Sequence, residues 1–294
     1  MTTSTTSTTS AASIETFFDV PTSTLTYVVF DAASKDAVVI DPVRDFDPAS
    51  GKVSFAGATV IGDFIKSKGL KLHAVLETHA HADHLSGAPF FKDQFGAKIA
   101  IGANITAVQE VFKGFFDLDD SFKTDGSQFD VLLKDNEVFQ AGSLKLKTLH
   151  TPGHTPACAS YLMGDVVFSG DALFMPDQGV GRCDFPKGDA GALFDSVQRL
   201  YQLPDATRVF VGHDYQPDGR KLAFETTIGA SKRSNVQLTA ELGKPEFVAK
   251  RKARDATLAA PRLLFPSVQV NIDAGRLPRA NKAGSRFLKM PVRE

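Results

Sequence analysis

Apolar positions recur along the chain in short runs rather than long stretches. Residues 26–30 (TYVVF) and 36–41 (DAVVID) are β-branched or aromatic, and they read as strands joined by a hairpin-length connection. Val60, Ile61, Phe64 and Ile65 then return at helical spacing within residues 58–69, with Gly69 placed as the left-handed residue that ends the helix. Residues 71–76 predict a buried strand, 89–95 a short helix and 97–101 another strand. The second half continues in this style, with strands expected at 129–133, 137–140, 144–149, 159–163 and 165–169. Leu193, Phe194, Val197, Leu200 and Tyr201 mark an amphipathic helix over 190–203, and 208–211 predicts the strand after it. From about residue 221 the pattern turns helical and basic, and 261–294 loosens into Pro, Gly and Arg. Helices and strands interleave twice. Because many connections are hairpin-length, two sheets packed on each other with helices outside are expected, in preference to parallel βαβ winding.

Composition adds little to that picture and charge adds one feature. The chain has 294 residues, 43% of them hydrophobic, and a net charge of −1, so nothing global points to nucleic acid or a membrane. Residues 244–294, however, hold twelve Lys/Arg against four Asp/Glu. Such a basic end attracts an anionic small molecule, an acidic subunit or RNA, or is simply solvated. Cys158 and Cys183 cannot build a disulfide framework, which suits a reducing compartment. The Ser/Thr-rich leader, residues 1–13, has neither the charge nor the apolar core of a secretory signal and is expected to be disordered. A cytoplasmic protein is expected, with no membrane span.

The chemistry lies at strand ends. ETHAHADH follows the strand at 71–76 and crowds His79, His81, Asp83 and His84 into six positions. HTPGHT supplies His150 and His154 around a Pro-Gly turn. FSGDALF places Asp171 after an apolar strand, and VFVGHDY repeats the device with His213, Asp214 and Tyr215. One such residue usually caps a helix or bonds a loop; four such loops in one chain point to metal. His73, inside a strand, reads as an ordinary core or surface residue, and His150 as a neighbour of the site. The inventory leaves the number of ions open. His79, His81 and His154 can hold one ion, and Asp83, His84 and His213 a second, with Asp171 bridging.

THAHADH, HTPGHT, SGDALF and GHDY, in this order, resemble the metal-binding loops of the metallo-β-lactamase superfamily over roughly residues 15–225. The resemblance implies an αββα sandwich, α/β in the α+β sense. The catalytic domain would span 14–225, and the basic extension 226–294 would pack on it. SGDALFMPDQGVGRCDFP, GHDYQPDGR and PSVQVNIDAGRLPRANKAG are similar to the persulfide (sulfur) dioxygenase branch, in its bacterial form without a rhodanese domain. That branch implies one Fe(II) per chain, held by His79, His154 and Asp171. His81, Asp83, His84 and His213 would then orient those ligands. The implied reaction converts glutathione persulfide and O₂ into sulfite and glutathione, with Tyr215 as a hydrogen-bond donor near the ion. Arg182 of GVGRCDF would meet the substrate or brace its loop through Asp184, and Arg276 and Arg279 would meet the carboxylates of glutathione or a second subunit. A homodimer is expected. The competing expectation is a glyoxalase II-like binuclear hydrolase of glutathione thioesters.

Overall fold

A computed structural model describes residues 4–8 and 12–292. Its first half runs β1 (Ser4–Thr8), β2 (Ser13–Asp19), β3 (Thr24–Phe30), β4 (Asp36–Ile40), β5 (Val43–Asp47), β6 (Lys52–Ser54), α1 (Ala56–Ser67), β7 (Lys71–Glu77), β8 (Leu85–Ser86), α2 (Ala88–Phe95), β9 (Lys98–Gly102), α3 (Ile105–Phe115) and β10 (Val131–Leu133). Its second half runs β11 (Val138–Ala141), β12 (Leu144–His150), β13 (Ala159–Met163), β14 (Val166–Gly170), α4 (Ala190–Leu200), β15 (Arg208–Val211), β16 (Glu225–Thr227), α5 (Ile228–Ser234), α6 (Lys244–Asp255) and α7 (Leu264–Asn271). Among the described residues, one large sheet has the order β1-β2-β3-β4-β7-β9-β10, the second β11-β12-β13-β14-β15-β16, and a small third sheet the order β6-β5-β8.

The two sheets pack through one shared core, and strand alternation decides which side chains enter it. On β7, Ala74 and Leu76 face the second sheet, while Leu72 and Val75 face the helices; on β9, Ala100 and Ile99 divide the same way. Ile61 and Ile65 of α1, Phe91 of α2 and Phe112 of α3 close the outer side of the first sheet. Leu193, Val197 and Leu200 of α4 and Phe247 of α6 join the core from the second. Burying a side chain of this size stabilises the fold by roughly 1.5–3 kcal/mol. The layers are therefore helix, sheet, sheet, helix. Two tyrosines tie the sheets together beside the strand ends that matter: the Tyr27 hydroxyl donates to Val211 O at 2.6 Å and that of Tyr161 to Glu77 O at 2.7 Å.

Four details depart from the sequence expectation. The hairpins are real, but β4, β7, β9 and β10 pair in parallel, because α1, α2 and α3 each carry the chain back across the sheet. Ser4–Thr8 is not irregular; it pairs antiparallel with β2, and backbone bonds to an open sheet edge need no apolar side chains. The remainder of the expected leader, residues 1–3 and 9–11, lies outside the described residues. The stretch after 221 begins with β16, which extends the second sheet antiparallel to β15. Finally, α7 folds within 261–294, and its Val268, with Ile272 just after it, joins the core beneath the first sheet's helices. No helix among the described residues is long and apolar enough to cross a membrane.

Candidate metal centre

Four loops meet at one edge of the two sheets. The first follows β7 at Glu77 and carries His79, His81, Asp83 and His84; the second leaves β12 at His150 and carries His154. Gly153 makes that second turn possible. Its φ is +141°, and an added Cβ would lie 2.4 Å from the backbone of Leu193 in α4, so only glycine lets the loop pass under the helix. Asp171 follows Gly170 at the end of β14, and His213 follows Val211-Gly212 at the end of β15.

His79, His154 and Asp171, all buried, bring one donor atom each within 4.8 Å of one another. Asp171 Oδ2 lies 3.6 Å from His154 Nε2 and 3.9 Å from His79 Nε2. Donors at about 2.0–2.2 Å from a shared ion stand roughly 3–3.6 Å apart, so a small inward movement closes the set. The donor chemistry also fits a metal. His79 Nε2 and Asp171 Oδ1 are buried without a hydrogen-bond partner, as are both ring nitrogens of His81 and Nε2 of His84, a loss of about 1–3 kcal/mol each unless something binds them. Burial first, and then the neighbouring His81, depress the pKa of His79 well below the usual value, which keeps its imidazole neutral and able to ligate.

The other nitrogen of each imidazole is fixed from behind. His79 Nδ1 stands 3.0 Å from Thr78 Oγ1, which donates to Asp41 Oδ2 at 2.7 Å. His154 Nδ1 donates to Arg182 O at 2.7 Å. Both bonds favour the tautomer that leaves Nε2 as the ligand. His81 behaves differently. Its Nε2 points at Asp41 Oδ1, 3.1 Å away, and Glu77 Oε2, 3.4 Å away. Burial opposes charge there, but the two carboxylates outweigh it and raise the pKa of His81 well above its usual value. His81, Asp83 and His84 also bring one donor atom each within 4.8 Å of one another, with His213 beside them: His84 Nδ1 is 3.1 Å from Asp83 Oδ2, and His213 Nε2 sits 3.6 Å from Asp83 and 3.4 Å from Asp171 Oδ1. The residues required for two ions are thus all present at this edge.

Three supporting residues escaped the sequence reading. Asp41 and Glu77 end buried strands, the same device that marks Asp171, and this was the available signal. Asn271 of α7 gave no such signal, because VQVNI alternates like a strand. Its amide donates to His81 O and His84 O at 2.8 Å each and accepts from Ser86 N at 2.8 Å, locking the first loop.

Asp171 and His154 open onto a cavity of about 740 Å³. Phe174, Val180 and Leu263 supply apolar wall, and Tyr215, 57% exposed, stacks on His213 at 5.6 Å. Arg182 lines this cavity, but its guanidinium is held by both oxygens of Asp184, at 2.6 Å each, and by Ala259 O at 2.8 Å. The structure does not bring Arg276 or Arg279 to the cavity; Arg276 donates to Gln128 O instead. Arg254, at the end of α6, and Arg262 stand there in their place, both exposed. Cys158 and Cys183 are buried free thiols, and burial pushes Cys158 up to about 12, so neither reads as a nucleophile.

Comparison with known proteins agrees with this geometry. Residues 19–213 match the model of the metallo-β-lactamase superfamily. Glyoxylase B2 of Dictyostelium discoideum is 44% identical, over 96% of this chain and 97% of its own length. The human mitochondrial persulfide dioxygenase ETHE1 is 30% identical over 67% of this chain and 66% of its own. The crystal structure of ETHE1 from Myxococcus xanthus superposes with a TM-score of 0.72 at 31% identity, covering 90% of this chain and 99% of that one. The chain belongs to the metallo-β-lactamase superfamily, with likeness to its persulfide dioxygenase branch.

Proposed function

We propose that this chain is a persulfide dioxygenase, oxidising glutathione persulfide with O₂ to sulfite and glutathione at a single non-haem Fe(II) held by His79, His154 and Asp171. The observation that carries the reading is the division of the histidines. His79 and His154 face Asp171, whereas His81, a hydrolase's third donor, faces Asp41 and Glu77. Two imidazoles and one carboxylate leave coordination positions free, and ferrous iron bound there supplies a place for a persulfide sulfur and O₂ to meet. The protein's own contribution is positional. Thr78 and the Arg182 carbonyl aim the two imidazoles, and the apolar wall limits water around the sulfur. Tyr215 offers a hydroxyl at the cavity, and the volume suits a tripeptide-sized ligand.

Of the arginines that line the cavity, the exposed Arg254 and Arg262 are assigned to the glutathione carboxylates. R254E/R262E is expected to raise KM for glutathione persulfide about 5–30-fold, the equivalent of about 1–2 kcal/mol, with kcat changed less than about twofold. Initial rates of O₂ uptake check this, and an unaltered KM would move the carboxylates elsewhere.

A second reading, a binuclear hydrolase of glutathione thioesters, is favoured by one observation: His213 Nε2 lies between Asp83 and Asp171, as a second ion would require. Anaerobically iron-loaded protein given glutathione persulfide is expected to consume O₂ and release sulfite, with about one iron per chain. No uptake above the enzyme-free control, together with two ions per chain and thioester cleavage, would reverse the order of the two readings.

A further inference from the structure

The helix α6 is amphipathic in an unusual way. Its buried stripe is Phe247, Arg251 and Asp255, so an ion pair occupies positions where apolar residues would be expected. Buried pairs seldom add net stability, which raises the question of what this one does. Arg251 Nη2 donates to Asp255 Oδ1 at 2.6 Å and pins the carboxylate. Arg251 Nη1 also donates to Gln237 Oε1 at 2.5 Å and Val180 O at 3.4 Å. Asp255 Oδ2 then accepts from Cys183 N at 2.9 Å. The carbonyl of that same peptide group, Arg182 O, accepts from His154 Nδ1 at 2.7 Å. One amide therefore links a buried carboxylate to a histidine of the metal centre.

The geometry points to Asp255 as a positioning residue for His154, acting through the Arg182–Cys183 peptide. A carboxylate on the N–H polarises the amide and makes its carbonyl a stronger acceptor, since hydrogen bonds in a chain reinforce one another. The stronger acceptor fixes the Nδ1–H tautomer and the ring's direction, leaving Nε2 aimed at Asp171 Oδ2. Metal-binding histidines commonly meet a carboxylate directly; here one peptide stands between them. The strap is tight on its other side too, because Gly181 N donates to Asp171 O at 3.1 Å. Residues 181–183 thus touch two of the centre's three donor residues, and α6 holds them in place.

This inference rests on His154 as a metal donor and not on the persulfide reading, so zinc and cobalt serve as probes. R251M/D255L removes both charges without stranding either. It is expected to fold, to weaken Zn(II) affinity measured by chelator competition about 10–100-fold, and to alter the visible spectrum of the Co(II) form. D255N, which keeps volume and an acceptor, is expected to lose about fivefold. In an H154A background neither change should weaken zinc further, since the relay then has no end. Unchanged affinity and spectrum, or an equal loss in the H154A background, would overturn the assignment. D255N is judged by the same criteria, so the result does not depend on the double variant folding.

Discussion

His79→Ala is expected to empty the metal centre while His81→Ala leaves it filled. Removing His79 leaves His154 and Asp171 as the only members of the set. Groups one bond further from a metal are worth 10–100-fold in affinity, so losing a ligand should cost more than about 100-fold. Metal content after loading and desalting should fall from about one ion per chain to under about one tenth, and activity with it. His81 acts on a different partner. Its loss strands Asp41 and Glu77 without the imidazole between them, and breaking such a buried pair costs about 3–5 kcal/mol. H81A is therefore expected to melt earlier yet retain its ion. Elemental analysis beside thermal melting distinguishes the two variants. Equal metal loss in both would show that the histidines are divided differently and would strengthen the binuclear reading.

Gly153→Ala should strongly destabilise the chain beside the site. A φ of +141° is strained for alanine, at about 1–3 kcal/mol, and its Cβ would press on the Leu193 backbone at 2.4 Å, adding about 1–3 kcal/mol. The expected total of about 2–6 kcal/mol corresponds to a Tm lower by roughly 4–24 °C for a chain of this size. Because His154 is the next residue, metal affinity should fall as well. Gly51→Ala is the control, since φ there is +70° and nothing lies within 4 Å of the added carbon. It should cost about 1–2 kcal/mol and leave metal binding intact. Thermal melts of both metal-free variants, followed by chelator competition, make the comparison. A G153A chain melting within about 2 °C of the parent would mean that the loop yields freely.

Local periodicity was enough to place the elements whose side chains obey it. The helix carrying Ile61 and Ile65, the strands leading to the His loops and the order of the four polar clusters were all legible, because period and turn chemistry are properties of neighbouring residues. The metal-binding loops were legible for the same reason: each is a buried run stopped by His or Asp. Which groups meet across the chain emerges only from packing. His79 and His81 are two residues apart and look alike in sequence; Asp41 from a neighbouring strand is what turns one away from the other. Asn271 lies 190 positions from the His81 carbonyl it holds, in a stretch that reads as loose Pro-, Gly- and Arg-rich chain and folds as α7. The basic end was visible as a charge count, yet only the path of α6 and the turn after it brings Arg254 and Arg262, rather than Arg276 and Arg279, to the cavity. Ser4–Thr8 has no apolar face of its own, and the open backbone of β2 gives it a strand partner. Hydrogen bonds and charges act through space, so their partners are set by packing rather than by spacing along the chain.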